Sequence, residues 1–189
     1  MGTSANHPSP NTPNWKLAKA VVGREDVPAG RQAAEIWRAA LKDRAASLKK
    51  ELGSELLGRA AAIADSAESP TRAVKQFESL MLASRTTGLS LEVAKRALAR
   101  AVAGQSGAQG FAGELFAEAT SYYVSRDLPS YLAAVGRVQS TSDAIQLKAQ
   151  IRSVALESAS SRDVGTTDPR NWRRYVGQVV DELTKKKSR

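Results

Sequence analysis

Between Arg31 and Asp65 the large apolar residues Trp37, Leu41, Leu48, Leu52, Leu56 and Ile63 recur at steps of four and seven. At 3.6 residues per turn this spacing gathers them on one broad helical face, and it does not fit the period of two that a half-buried strand needs. Gly53 and Gly58 fall inside the span. Each weakens a helix by about 1 kcal/mol relative to alanine, so the pattern allows a break near Gly53. The chain holds 32 alanines against three phenylalanines and four isoleucines. Such an interior suits closely packed helices, because alanine has the best helix propensity whereas strands want β-branched and aromatic residues. The expected fold is all-α, a bundle of about six to seven helices with no sheet.

The punctuation of the chain divides it further. Residues 1 to 14 carry three prolines among Ser, Thr and Asn and read as a flexible leader. Trp15 to Val22 reads as a short helix, stopped by Gly23 and the turn Asp26-Val27-Pro28-Ala29-Gly30. Ser69-Pro70 caps a helix over Thr71 to Thr86 with Val74, Phe77, Leu80 and Met81 inward, and Ser90 caps the next, to Ala103. After a loop over Gly104 to Gly110, Phe111 to Arg126 reads as a helix with Leu115, Ala119 and Tyr122 inward. Asp127-Leu128-Pro129-Ser130 reads as a turn into a short helix over Tyr131 to Gln139, followed by one capped at Thr141 or Ser142 and reaching Ser158. A Ser-rich link to Thr167 leads to Asp168-Pro169, an N-cap and first-turn proline. Beyond it Trp172, Val176, Val179 and Leu183 form a narrow heptad seam suited to one partner helix. The division expected is thus a leader over 1–14, a helical domain over 15–161, and over 162–189 the end of the link with a basic C-terminal helix and tail.

Most catalytic chemistries lack their residues here. Cysteine is absent, which removes disulfides, thiolate metal sites and cysteine nucleophiles, and the one histidine, His7, sits in the proline-rich leader. Glu114 and Glu118 share a helical face, but a pair of solvated carboxylates near the start of a helix, favoured by its dipole, accounts for them better than a metal site. The Gly104 to Gly110 stretch has no basic residue to finish a phosphate loop. No catalytic residue, metal or cofactor is expected, and the chain reads as a non-enzyme. With no apolar run of membrane-spanning length and no signal-peptide order at the N-terminus, a soluble cytoplasmic protein without membrane partners is the expectation.

Charge supplies the functional reading. The net charge of +9 is concentrated in residues 69–104 and 162–189, on either side of a near-neutral middle, and basic surfaces attract polyanions. On the first long helix Arg31, Arg38, Lys42 and Lys49 lie at steps of seven, four and seven. They project within about 20° of one direction, about 80 to 100° from the leucine face. That stripe suits contact along a phosphate backbone, although the solvated flank of an amphipathic helix has the same pattern. Near the C-terminus Arg170, Arg173 and Arg174 interleave with Trp172 and Tyr175, a combination that serves phosphate contact and stacking. If Trp172 belongs to the seam, the arginines stay available for binding. Arg85, Lys95, Arg96 and Arg100 of the first basic block complete the candidate nucleic-acid-binding set.

The segment Ala83 to Leu98, with Gly88 as a central glycine, Leu89 and Ser90 after it and Ala94 and Ala97 at inward positions, resembles the helix-turn-helix family. The resemblance implies a left-handed turn at Gly88, and it implies that Ser90, Glu92, Lys95 and Arg96 face a DNA groove. Ser84 and Ala94 depart from the residues usual at their positions. In helical make-up and overall charge the chain also resembles the small helical subunits of CRISPR effector complexes, which line a guide or displaced strand with basic helical faces; this likeness carries over no residue. The function expected is non-catalytic binding of the phosphate backbone of RNA or DNA, as a small helical subunit of a nucleoprotein or ribonucleoprotein assembly. Other protein subunits, or self-association through the C-terminal helix, are the further partners expected. A sequence-specific helix-turn-helix DNA-binding regulator and a protein–protein scaffold or adaptor are the alternatives.

Overall fold

The leucine face read across residues 31–65 is one face in two pieces. In the computed structural model, which describes residues 29–85, 88–132, 141–165 and 167–185, helix α1 (Ala29–Leu52) and helix α2 (Glu55–Ser66) meet at Gly53. A Cβ on Gly53 would lie 2.5 Å from the carbonyl oxygen of Lys49, so the turn leaves no room for a side chain. The apolar spacing survives the break, because Leu41, Leu48, Leu52, Leu57 and Ile63 are buried and Leu56 packs against them. The leader over 1–14, His7, the Trp15–Val22 helix, the side chain of Trp37 and the basic end over 186–189 lie outside the described residues.

Five further helices follow: α3 (Pro70–Ser84), α4 (Leu89–Ala103), α5 (Gly107–Leu132), α6 (Thr141–Ser160) and α7 (Pro169–Thr184). The described residues contain no strand, and the chain is all-α. α3 starts as expected, with Ser69 Oγ accepting from the Arg72 amide and Pro70 in the first turn. Its innermost residues are Ala73 and Phe77, while Val74, Leu80 and Met81 are only half-buried. Ser90 is not the cap of α4. That position is held by Gly88, and Ser90 lies inside the helix.

Two boundaries differ because tertiary contacts outweigh local turn signals. The expected 104–110 loop closes earlier, at Gly107, since Asp65 at the end of α2 accepts the Ala108 amide at 2.6 Å and caps α5 from outside. Gly107 has φ +58°, and a Cβ there would come 2.6 Å from the same carboxylate oxygen. The turn expected at Asp127 to Ser130 does not form, and α5 runs on through Pro129 to Leu132. Proline removes one amide donor to the carbonyl four residues back, and near the end of a 26-residue helix that loss stays local. The short helix expected over 131–139 lies beyond this point, its residues 133–139 outside the described ones.

α5 is the axis of the bundle and packs on α1, α2, α4 and α6. Ala108, Phe111, Ala112, Leu115, Phe116, Ala117 and Ala119 bury it on all sides, the pattern of a helix enclosed by others. Tyr122, expected inward, is 37 % exposed, because it lies past the enclosed stretch. α7 closes the structure by packing on α1, α2 and α6. Its buried face holds Tyr175 and Val180 besides the four seam residues, so it is wider than a heptad seam and is covered within the chain. The Trp172 ring lies 6.1 Å from Phe111 and 5.7 Å from Tyr175, centroid to centroid. Gly58 of α2 makes room for it, since a Cβ there would lie 3.2 Å from the indole.

Candidate nucleic-acid interface

The sequence candidates separate into cations that fasten the fold and cations that face solvent. On the α1 stripe, Arg38 Nη1 donates to the Lys185 carbonyl at 3.2 Å, at the negative end of the α7 dipole. Lys49 Nζ lies 2.7 Å from Asp181 of α7. The stripe runs along the flank of the leucine face, and that is the flank on which α7 packs, so these cations meet acceptors of the fold. Lys42 alone of the four is seen exposed, and the Arg31 side chain lies outside the described residues.

The first basic block is similarly engaged. Lys95 is held by Glu92 at 2.8 Å and Glu78 at 3.4 Å, and the Glu92 hydrogen bond, with Glu78 adding to it, raises its pKa above the ordinary lysine value despite some desolvation. Arg100 of α4 and Arg152 of α6 both bind the carboxylates of Glu114 and Glu118 on α5. Glu118 first and Glu114 second raise the Arg100 pKa further. Glu114 and Glu118 are therefore not the solvated pair at a helix start that the sequence suggests. With α5 beginning at Gly107 they lie deeper in the helix, about 20 % exposed, each between two arginines. The two arginines and two glutamates balance in charge and clamp α4, α5 and α6.

Arg85 and Arg96 are exposed and carry no ion pair among the described residues. They lie on the segment that resembles a helix-turn-helix, which the structure places as α3, a turn and α4, with Ala94 and Ala97 fully buried. The left-handed residue is Arg85, the C-cap of α3 at φ 50°, and not Gly88. Gly88, at φ 158° and ψ 160°, takes an extended conformation on the positive side that glycine adopts most readily. Of the residues the resemblance turns toward a groove, Glu92 and Arg96 are exposed, Ser90 is half-buried, and Lys95 is bound to two carboxylates.

The C-terminal cations form the most open group. Asp168 caps α7 by accepting the amides of Arg170 and Asn171, and Pro169 fixes the first turn. This sets Arg170, Arg173 and Arg174 at i, i+3 and i+4, on one face at the positive end of the helix dipole. All three are exposed, and among the described residues Arg170 and Arg173 have no carboxylate partner. Trp172 and Tyr175 point the other way and are buried, so the aromatic stacking suggested by their interleaving is not offered at this surface. The Arg173 stem crosses the α1–α2 break, its Cγ 3.5 Å from the position of a Gly53 Cβ. Lys50, in the last turn of α1 before Gly53, is a further exposed cation. Its spacing leaves it outside the stripe, and the sequence signal for it is its place in the turn before Gly53.

No group of three or more metal-ligating side chains is found among the described residues, and no described helix is long and apolar enough to cross a membrane. Compared with protein families, with curated proteins and with solved structures, the chain matches none.

Proposed function

We propose that this protein holds the sugar–phosphate backbone of a nucleic acid on the arginine face at the start of α7. The observation that carries the reading is that Arg170 and Arg173 stand exposed and, among the described residues, without a carboxylate partner on a capped helix N-terminus, whereas Lys49, Lys95 and Arg100 are bound within the fold. Guanidinium groups suit phosphate because their planar fork donates two parallel bonds, and a net charge of +9 favours encounter with a polyanion. Replacing Arg170, Arg173 and Arg174 together by Gln tests the proposal. Binding should weaken alike on every sequence, and the dependence of log affinity on log salt should flatten by about 0.7 to 0.9 for each phosphate no longer held. Unchanged binding by the triple variant would overturn it, as would a wild type that binds no nucleic acid at low salt.

A second reading has one observation in its favour. α3 and α4 form on either side of a short turn with Arg85 and Arg96 exposed, so a helix-turn-helix use of α4 would rest on Arg96. In that case Arg96→Ala should erase preference for one duplex site, at about 1 to 3 kcal/mol, while non-specific binding survives. Equal weakening on all sequences would return the assignment to the backbone.

A further inference from the structure

Beside the arginine face a groove of about 400 Å³ opens between the link before α7 and α7 itself. Its walls include Asp163, Gly165, Arg174 and Gln178, all exposed, and Tyr175 and Val164 form a buried floor. The link is firmly held. Gln109 of α5 donates from Nε2 to the carbonyls of Ala159 and Arg162, each at 3.0 Å, and accepts the Val164 amide at 3.0 Å. Tyr175 donates its hydroxyl to the Ala159 carbonyl at 2.9 Å, and the Gly165 amide donates to Asp163 at 2.9 Å. A groove built this way exists before anything enters it, so a ligand need not order it.

Its chemistry differs from that of the neighbouring arginine face. Gln178 presents an amide, donor and acceptor together, with no hydrogen-bond partner among the described residues, and Arg174 brings a planar guanidinium. Asp163 adds a carboxylate, which repels phosphate and accepts from an amino group. Amide, guanidinium and carboxylate around a cleft match the edge and face of a nucleobase, whereas the Asp163 carboxylate disfavours a phosphate in the cleft itself. Arg174 belongs to both surfaces, one helical turn from Arg170.

We infer that the groove takes one unpaired base of a single-stranded nucleic acid whose phosphates lie on Arg170 and Arg173, with Arg174 stacked on the base and Gln178 bonded to its edge. The inference rests on the backbone reading above and narrows it to single strands, because a base stacked and paired in a duplex cannot enter. Fluorescence anisotropy at low salt tests it with three probes of equal length: a mixed-sequence single strand, the same strand as a duplex, and an abasic sugar–phosphate strand. Ribose and deoxyribose forms are run side by side. The wild type should bind the base-bearing single strand about tenfold more tightly than the abasic strand. Gln178→Ala, an exposed helical position whose fold is checked by circular dichroism, should bring that ratio toward one and leave abasic binding unchanged. A preference for either sugar on the base-bearing strand supports the inference and identifies the partner as RNA or DNA. Equal wild-type affinity for the base-bearing and abasic strands overturns it while leaving the backbone reading in place. Equal weakening on both strands in Gln178→Ala also overturns it, and absence of binding to all three probes overturns the backbone reading with it.

Discussion

Asp65 Oδ1 accepts the backbone amide of Ala108 across 43 residues of chain, so the first turn of the central helix is capped by the last turn of α2. The arrangement excludes a side chain at Gly107 and leaves one carboxylate responsible for where α5 begins.

Asp65→Ala should destabilise the fold by about 1 kcal/mol, the usual value of a lost N-cap. Gly107→Ala should do more, because it combines left-handed strain with a clash against the carboxylate. In the double variant the clash is gone and only strain and the missing cap remain. The two effects should therefore be less than additive by at least about 0.5 kcal/mol in urea-denaturation cycles. Strict additivity would show that the carboxylate and the glycine act independently.

Trp172→Ala should cost about 3 to 5 kcal/mol, since it empties the space between Phe111, Tyr175 and Gly58. It also removes the indole N–H that donates to the Leu52 carbonyl at 2.8 Å. Trp172→Phe keeps part of the packing and loses that bond, so its denaturation midpoint should fall between those of wild type and Trp172→Ala.

Arg85→Gly should stabilise the protein by about 1 kcal/mol, because glycine takes the left-handed C-cap conformation without the steric cost an L side chain carries. For a chain of this size that corresponds to a melting temperature about 2 to 4 °C higher. A lower melting temperature would mean the Arg85 side chain contributes more to the fold than its exposure indicates.

Alkaline pH should unfold the protein through Tyr175, whose phenol burial pushes well above its ordinary value of 10.0. The folded state keeps that proton after the unfolded chain has released it. The stability this provides is full below pH 10 and falls as pH rises beyond it, toward the folded-state value. Lys95, also raised, acts in the same direction above 10.5. Tyrosinate absorbance near 295 nm should therefore show part of its amplitude only when helical circular dichroism is lost. Complete tyrosine titration in the still-folded protein would contradict the burial.

The helices are legible in the sequence where caps, glycines and apolar spacing agree, as at Ser69-Pro70, Gly53 and Asp168-Pro169. They are not legible where a distant residue decides the matter. Asp65 starts α5 at Gly107, and nothing near Gly107 in sequence announces it. Pro129 signals a turn that α5 does not take. The basic positions are equally visible, but their roles are not, because sequence shows a charge and not its partner. Arg38 and Lys49 meet α7 only once the bundle has formed, and Glu114 and Glu118 meet Arg100 and Arg152 from two other helices. The arginine face of α7 is legible because its whole context, the cap, the proline and the i, i+3, i+4 spacing, is local.

The bond between Trp172 and Leu52 spans 120 residues, and α7 is the principal cover of the flank of α1. During synthesis at about 5 to 20 residues per second, roughly 6 to 24 s pass between the emergence of Leu52 and that of Trp172. Throughout that interval the leucine face of α1 lacks the cover that α7 supplies. A ribosome stalled before residue 172 should hold a chain that recruits chaperones and is readily cut by protease near Gly53, and release of the last helix should end both.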